Sequence, residues 1–280
     1  MSTLKAAEEA LRAGNPDQAL TDLQNAIRAD PANPKLRTFL FQLLSVQGRW
    51  ERAASQLEVV GELDAAALPM VQMYREALRC EVVRSKVMAG KSAPLLFGHP
   101  EEWIALLIEA CLSEGQGKAD EGARLREKAF ELAPASHGTI NDQPFEWIAD
   151  GDMRLGPVLE AVINGKYYWL PFTRLNRILI EPPEDLRDFV WMPAQFEFAN
   201  GGEMVGIIPT RYPGSESADD HLIRMARKTD WIDVGHDNYH GLGQRILTTD
   251  QGDVPLLEVR EIVIEGDDAP DEAEATDSPA

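Results

Sequence analysis

Residues 14–23 align on residues 48–57 at an offset of 34, and this internal repeat constrains the fold more than any other feature of the 280-residue chain. The offset keeps the chemistry in place: Ala19 falls on Ala53, Leu23 on Leu57 and Ala26 on Val60. Those are small and apolar positions, as needed where two antiparallel helices approach closely. Pro31 and Pro34 close the first unit, where one helix ends and the next begins. A third match lies 103 residues after the first, close to three periods, with Ala129 and Pro134 at the positions of Ala26 and Pro31. Between the matches, residues 68–89 read as one long helix with Val71, Tyr74, Ala77, Leu78, Val82 and Val83 at helical spacing. Residues 91–100 form a break containing Pro94, Gly98 and Pro100. A further helix starts near Trp103, and Glu101 and Glu102 suit its N-terminus.

A 34-residue period of paired helices is that of a tetratricopeptide repeat. Each unit buries one face on its neighbour, so the array is a scaffold whose concave side can receive a peptide or helix. By repeat position, Leu4, Glu8, Arg12, Thr38 and Gln42 face that side.

After Pro134, aromatic and β-branched runs broken by Gly and Pro replace the helical periodicity. The expected organisation is a helical repeat domain over 1–134, a β-rich domain over 135–264 and a disordered acidic tail over 265–280. Residues 155–163 read as a short helix stopped by Asn164-Gly165. Residues 167–170 and 178–180 read as strands, followed by a Pro182-Pro183 turn. One hairpin joins 195–198 to 204–208 through Asn200-Gly201-Gly202, and another joins 246–249 to 256–264. The fold class is α+β. Its second half is a small, barrel-like or strongly bent antiparallel sheet of five or six strands.

Charge narrows the function. The chain carries 27 Lys and Arg against 47 Asp and Glu, a net −20. Residues 1–134 contribute −3, residues 135–264 contribute −10 and the last 16 residues −7. So acidic a surface argues against nucleic acid, whose binding needs clustered cations. Cys80 and Cys111 stand 31 residues apart with no CxxC, so neither a disulfide framework nor a zinc site is expected. No stretch approaches the ~18 apolar residues of a membrane span, and the N-terminus lacks a secretory signal pattern. A cytoplasmic location with no membrane partner follows.

Motifs for chemistry are weak. His236 and His240 lie four apart among acids, but Gly235 and Gly241 argue for a loop, and the Glu of an HExxH helix is absent. A metal-dependent hydrolase built on His221, His236 and His240 is therefore the lesser reading. Residues 241–245 contain two glycines but lead into a strand rather than a helix, so they form a tight approach and not a phosphate loop. Acidic pairs such as Glu184 and Asp185 carry no catalytic signal in so acidic a chain. Aromatics beside prolines, at Trp169, Phe172, Trp191 and Tyr212, are of the type that anchors interfaces, and they are equally what the core of a small sheet needs.

Residues 156–172, 181–188, 209–216 and 241–245 and the strand around 256–262 resemble the ImpE family, also called TagJ or SciE, of bacterial type VI secretion accessory proteins. The resemblance runs in order to about residue 264. It implies a non-enzymatic, cofactor-free cytoplasmic adaptor. Its partners would be the N-terminal amphipathic helix of the small subunit of the contractile sheath and the AAA+ ATPase that disassembles contracted sheath. It makes Trp169, Phe172, Arg211, Tyr212, Gln244 and Arg245, with Trp191 nearby, candidates for a binding surface. An acidic domain would favour a partner helix bearing basic residues. A general tetratricopeptide chaperone outside secretion is the competing adaptor reading.

Overall fold

A computed structural model of the chain describes residues 3–265; the acidic tail expected over 265–280 lies, but for Glu265, outside the described residues. The helical half comprises α1 (Thr3–Arg12), α2 (Pro16–Ala29), α3 (Pro34–Val46), α4 (Trp50–Leu63), α5 (Leu68–Met88), α6 (Glu102–Gly115) and α7 (Ala119–Leu132). The repeat chemistry sits in the turns. Asn15 and Asn33 each cap a helix by accepting from a backbone N–H, with proline at the first helical position of both. Gly14, Gly48 and Gly117 make the turn inside each hairpin with φ of 79°, 64° and 80°, at the offsets of 34 and 103 read from the sequence.

The break after α5 holds a two-residue strand, β1 (Leu95–Leu96). The remaining strands are β2 (Gly138–Ile140), β3 (Gln143–Phe145), β4 (Ile148–Asp150), β5 (Val158–Ile163), β6 (Lys166–Pro171), β7 (Leu175–Ile180), β8 (Trp191–Phe198), β9 (Glu203–Pro209), β10 (Thr229–Asp233), β11 (Tyr239–Gly243), β12 (Ile246–Thr249), β13 (Gly252–Pro255) and β14 (Glu261–Ile264). A one-turn helix α8 (His221–Arg224) precedes β10. Nine strands form one sheet in the order β1-β6-β5-β9-β8-β7-β14-β2-β3, so it ends in two edges and does not close into a barrel. β4, β12 and β13 form a second sheet and β10 and β11 a ribbon.

Three sequence expectations change. There are many more than six strands, because several are only two to five residues long. The expected helix at 155–163 is strand β5: Asn164 and Gly165, at φ 49° and 70°, make a two-residue hairpin turn into β6. All six residues of β5 are buried, so the alternation that marks a half-exposed strand is missing. Finally, β12 pairs with β13, while 256–258 forms a 3₁₀ turn and β14 crosses to the large sheet.

The two faces of the large sheet have different partners. Leu159, Ala161, Met192, Ala194, Phe196, Ile178 and Ile262 pack inward with Leu247, Leu256 and Val259, so the sheet curls over the smaller one. The opposite face turns Val158, Val162, Tyr167, Trp169, Trp191 and Ile207 into the same core as Phe41, Tyr74, Val87 and Trp103 of the helices. The helical and β-rich halves thus share one apolar core. Trp191 marks the junction: its ring lies 5.9 Å from Trp50 and 5.8 Å from Tyr74, and its Nε1 donates to Glu81 at 2.8 Å.

Candidate functional site

Of the seven aromatic, Arg and Gln candidates from the β-rich half, six are buried: Trp169, Phe172, Trp191, Arg211, Tyr212 and Arg245. They are not open to a partner here. Most of the polar ones belong to a buried ionic network that ties the halves together. At its centre Glu160, on β5, accepts from Arg84 Nε at 2.8 Å and Nη2 at 2.9 Å, and also from Arg245 and from Tyr167 Oη. Trp169 donates to Tyr167 Oη at 2.8 Å. Arg245 also donates to Asp150, which accepts from Tyr212 Oη at 3.0 Å. Arg84 donates to the Arg211 carbonyl at 2.6 Å, and the Arg211 guanidinium caps the end of α3 through Val46 O at 2.8 Å and Ser45 O at 3.2 Å. Ser45 O already accepts from the Gly48 N–H at 3.1 Å, so the guanidinium serves chiefly the Val46 carbonyl at the helix C-terminus, an end whose free carbonyls favour a cation. Gln244 is half-buried and donates to Ala226 O.

Electrostatics follow from this packing. Burial alone would raise the Glu160 carboxyl, but Arg84 and Arg245 overcome it and hold it at about 2. Burial raises Asp150 to about 6 against the pull of Arg245, with Asp152 adding to the rise. Burial lowers Arg211 to about 10. Such a network fixes geometry. It offers no open position for a reacting group.

The helix-side candidates divide. Arg12 is exposed, Leu4, Glu8 and Thr38 are half-buried, and Gln42 is buried. Leu4 packs on the helical core. α3 contacts the 3₁₀ turn Leu186–Phe189, so the chain's own β-rich half covers a face that repeat position alone leaves open. On α5, Val82 and Val83 are 52% and 45% exposed, whereas Cys80 and Arg84 are buried; the facing sheet selects the buried stripe, with Cys80 donating to Gly165 O and Arg84 to Glu160.

The histidines are scattered. His221 lies 3.9 Å from Asp17, and His236, at φ 56° in the β10–β11 turn, lies 3.0 Å from Asp120. His240 is on β11, where burial, aided by Arg154, lowers it to about 4. Among the described residues no three His, Cys, Asp or Glu side chains are grouped to hold a metal, and no helix is long and apolar enough to cross a membrane. Residues 241–245 do approach tightly: a Cβ on Gly241 would meet the Tyr212 ring at 2.2 Å.

An open cleft of about 1010 Å³ lies between the N-terminal half of α5 and the large sheet. Pro69, Met73 and Glu76 form one wall, and Leu179, Pro193, Val205 and Ile207 the floor. Pairing of Leu179 with Gln195, Gln195 with Val205, and Pro193 with Ile207 puts these on one face. It is the face that, further along, carries Trp191 and Val162 into the shared core. The helices cover part of this face and stop, leaving Val205 72% exposed and Met73 39% exposed. Sequence reading missed the cleft. Its one signal was Val205 and Pro193 at outward positions of a strand pair whose inward residues were already apolar.

A family model described as ImpE protein matches residues 142–263, and a tetratricopeptide-repeat model matches residues 10–78. The type VI secretion system accessory component TagJ of Pseudomonas aeruginosa is 49% identical over 263 residues, spanning 94% of this chain and 92% of that protein. The crystal structure of protein VPA1032 from Vibrio parahaemolyticus superposes with a TM-score of 0.84 at 27% identity, covering 94% of this chain and 98% of that one.

Proposed function

The chain belongs to the ImpE family and is a relative of a type VI secretion accessory component, and from that premise we propose that it is a cytoplasmic, non-enzymatic adaptor. It binds the N-terminal amphipathic helix of the sheath small subunit and brings sheath to the AAA+ ATPase that disassembles it. The single observation that carries this reading is an apolar cleft of helix-accepting size, beside a repeat scaffold, in a chain so similar to a secretion component. A helical cylinder about 10 Å across takes up roughly 420 Å³ per 5.4 Å turn. The cleft volume of about 1010 Å³ therefore seats about two turns fully, or about five half-sunk. The similarity to a secretion component over nearly the whole chain disfavours a general chaperone.

The experiment uses the full chain, because the halves share a core. Immobilised protein is offered the sheath small subunit with and without its N-terminal helix. Retention of the intact subunit alone is expected; equal retention of both, or of neither, refutes the reading.

A further inference from the structure

We infer that the cleft between α5 and strands β7, β8 and β9 is the seat of the partner helix, and that carboxylates along its border select a helix flanked by Lys or Arg. This rests on the adaptor reading above and assigns its site.

Shape supports a helix. Three adjacent strands about 4.8 Å apart span about 10 Å, the width of one helix. The occupant would lie beside α5 as one more member of the layer that already covers this face of the sheet. Its apolar residues would meet Val205, Pro193, Leu179 and Met73. Such a seat calls for apolar side chains at i, i+3, i+4 and i+7 of the partner.

Charge specifies the flanks. Glu76 and Glu181 line the cleft, and Glu197, Glu203 and Glu261 continue its floor outward on the same face. Against these five stand Arg79, Arg177 and Arg260. Arg177 is engaged by Glu261 at 2.6 Å and Glu197 at 3.4 Å, and Arg79 by Glu76 at 2.8 Å. Arg260 donates to the Leu257 carbonyl. Glu181 and Glu203 are exposed and have no ion pair among the described residues. An acidic helix would meet repulsion there, and a basic one would complete both pairs.

The test measures anisotropy of two labelled synthetic helical peptides, sharing one leucine face and flanked by Lys in one and Glu in the other, on the full chain. The sheath small subunit is measured in parallel. Wild type should prefer the Lys peptide, and Val205→Asp should weaken it by roughly tenfold or more, with an unchanged melting curve showing that the fold is intact. Glu181→Lys combined with Glu203→Lys should reduce or reverse the preference between the peptides. Lys-peptide binding unaltered by Val205→Asp overturns the inference, as does self-association that Val205→Asp abolishes, which would give the cleft to a second copy. If the sheath subunit binds wild type and Val205→Asp alike, the site is wrong and the adaptor function stands. If the Lys peptide binds in the cleft and the sheath subunit does not bind, the helix seat stands and the sheath reading fails.

Discussion

Replacing Glu160 by Gln keeps the side chain's volume and removes the one charge that Arg84 and Arg245 share. Glu160 is fully buried, and its carboxylate accepts four hydrogen bonds. Two routes give the size of the loss. Removing one member of a buried ion pair costs about 3–5 kcal/mol. A carboxyl held at about 2 instead of 4.5 corresponds to about 3 kcal/mol. Arg245 retains Asp150 and Arg84 retains Glu81 at 3.4 Å, so the lower figure is expected. For a protein of this size that is a fall of roughly 6–12 °C in Tm. Because the folded pKa lies below the unfolded one, the stabilisation is fully present above pH 4.5 and is lost as pH falls through about 2. The gap between wild type and Glu160→Gln should therefore be equal at pH 7 and pH 5 and narrower at pH 3. Adding Arg84→Met should recover part of the loss, since it removes a cation left short of a partner. A Tm change under about 2 °C at pH 7, or a double substitution whose loss is the sum of the single ones, would refute the reasoning that this carboxylate holds the halves together.

Other expectations follow from single contacts. Gly241→Ala puts a Cβ 2.2 Å from the Tyr212 ring and should cost about 1–3 kcal/mol, measurable by urea unfolding. Trp191→Ala empties the junction between Trp50 and Tyr74 and should cost about 3–5 kcal/mol in the same assay. His240 has a folded pKa of about 4, so it destabilises the fold progressively as pH falls from 6.5 towards 4; NMR titration should find it neutral at pH 5. Asp150, raised to about 6, gives up its contribution as pH rises through that value. Asp150→Asn should therefore lower Tm less than Glu160→Gln at pH 7.

Much of the helical half was legible because its repeat is written in local chemistry: Asn-Pro caps, left-handed glycines and small residues at helix contacts. The same holds for the β8–β9 hairpin, whose Asn-Gly-Gly turn and alternating apolar residues need no distant information. Strand β5 was not legible, since a strand buried on both faces has the composition of a buried helix. The site residues divide in the same way. Trp169 and Tyr212 stand out in sequence as aromatics beside prolines, and Arg211 and Arg245 are candidates through the family resemblance, but whether an aromatic or Arg side chain points to water or to the interior depends on what packs over it. For Trp169 and Arg211 the cover is the helical half of the chain; for Tyr212 and Arg245 it is the β-rich half itself, through Asp150, Glu160 and Trp231.

The sequence by itself determined the repeat, the change of texture after Pro134, the family and the acidic balance of the second half, because each is carried by near neighbours or by composition. Only the tertiary structure decided that the two halves share a core, that Arg84 rather than Val83 is the buried face of α5, and that an apolar cleft stays open beside it. Those depend on contacts such as Arg84 with Glu160, 76 residues apart. Burying a charge is stable only where an opposite charge from a distant segment arrives to meet it.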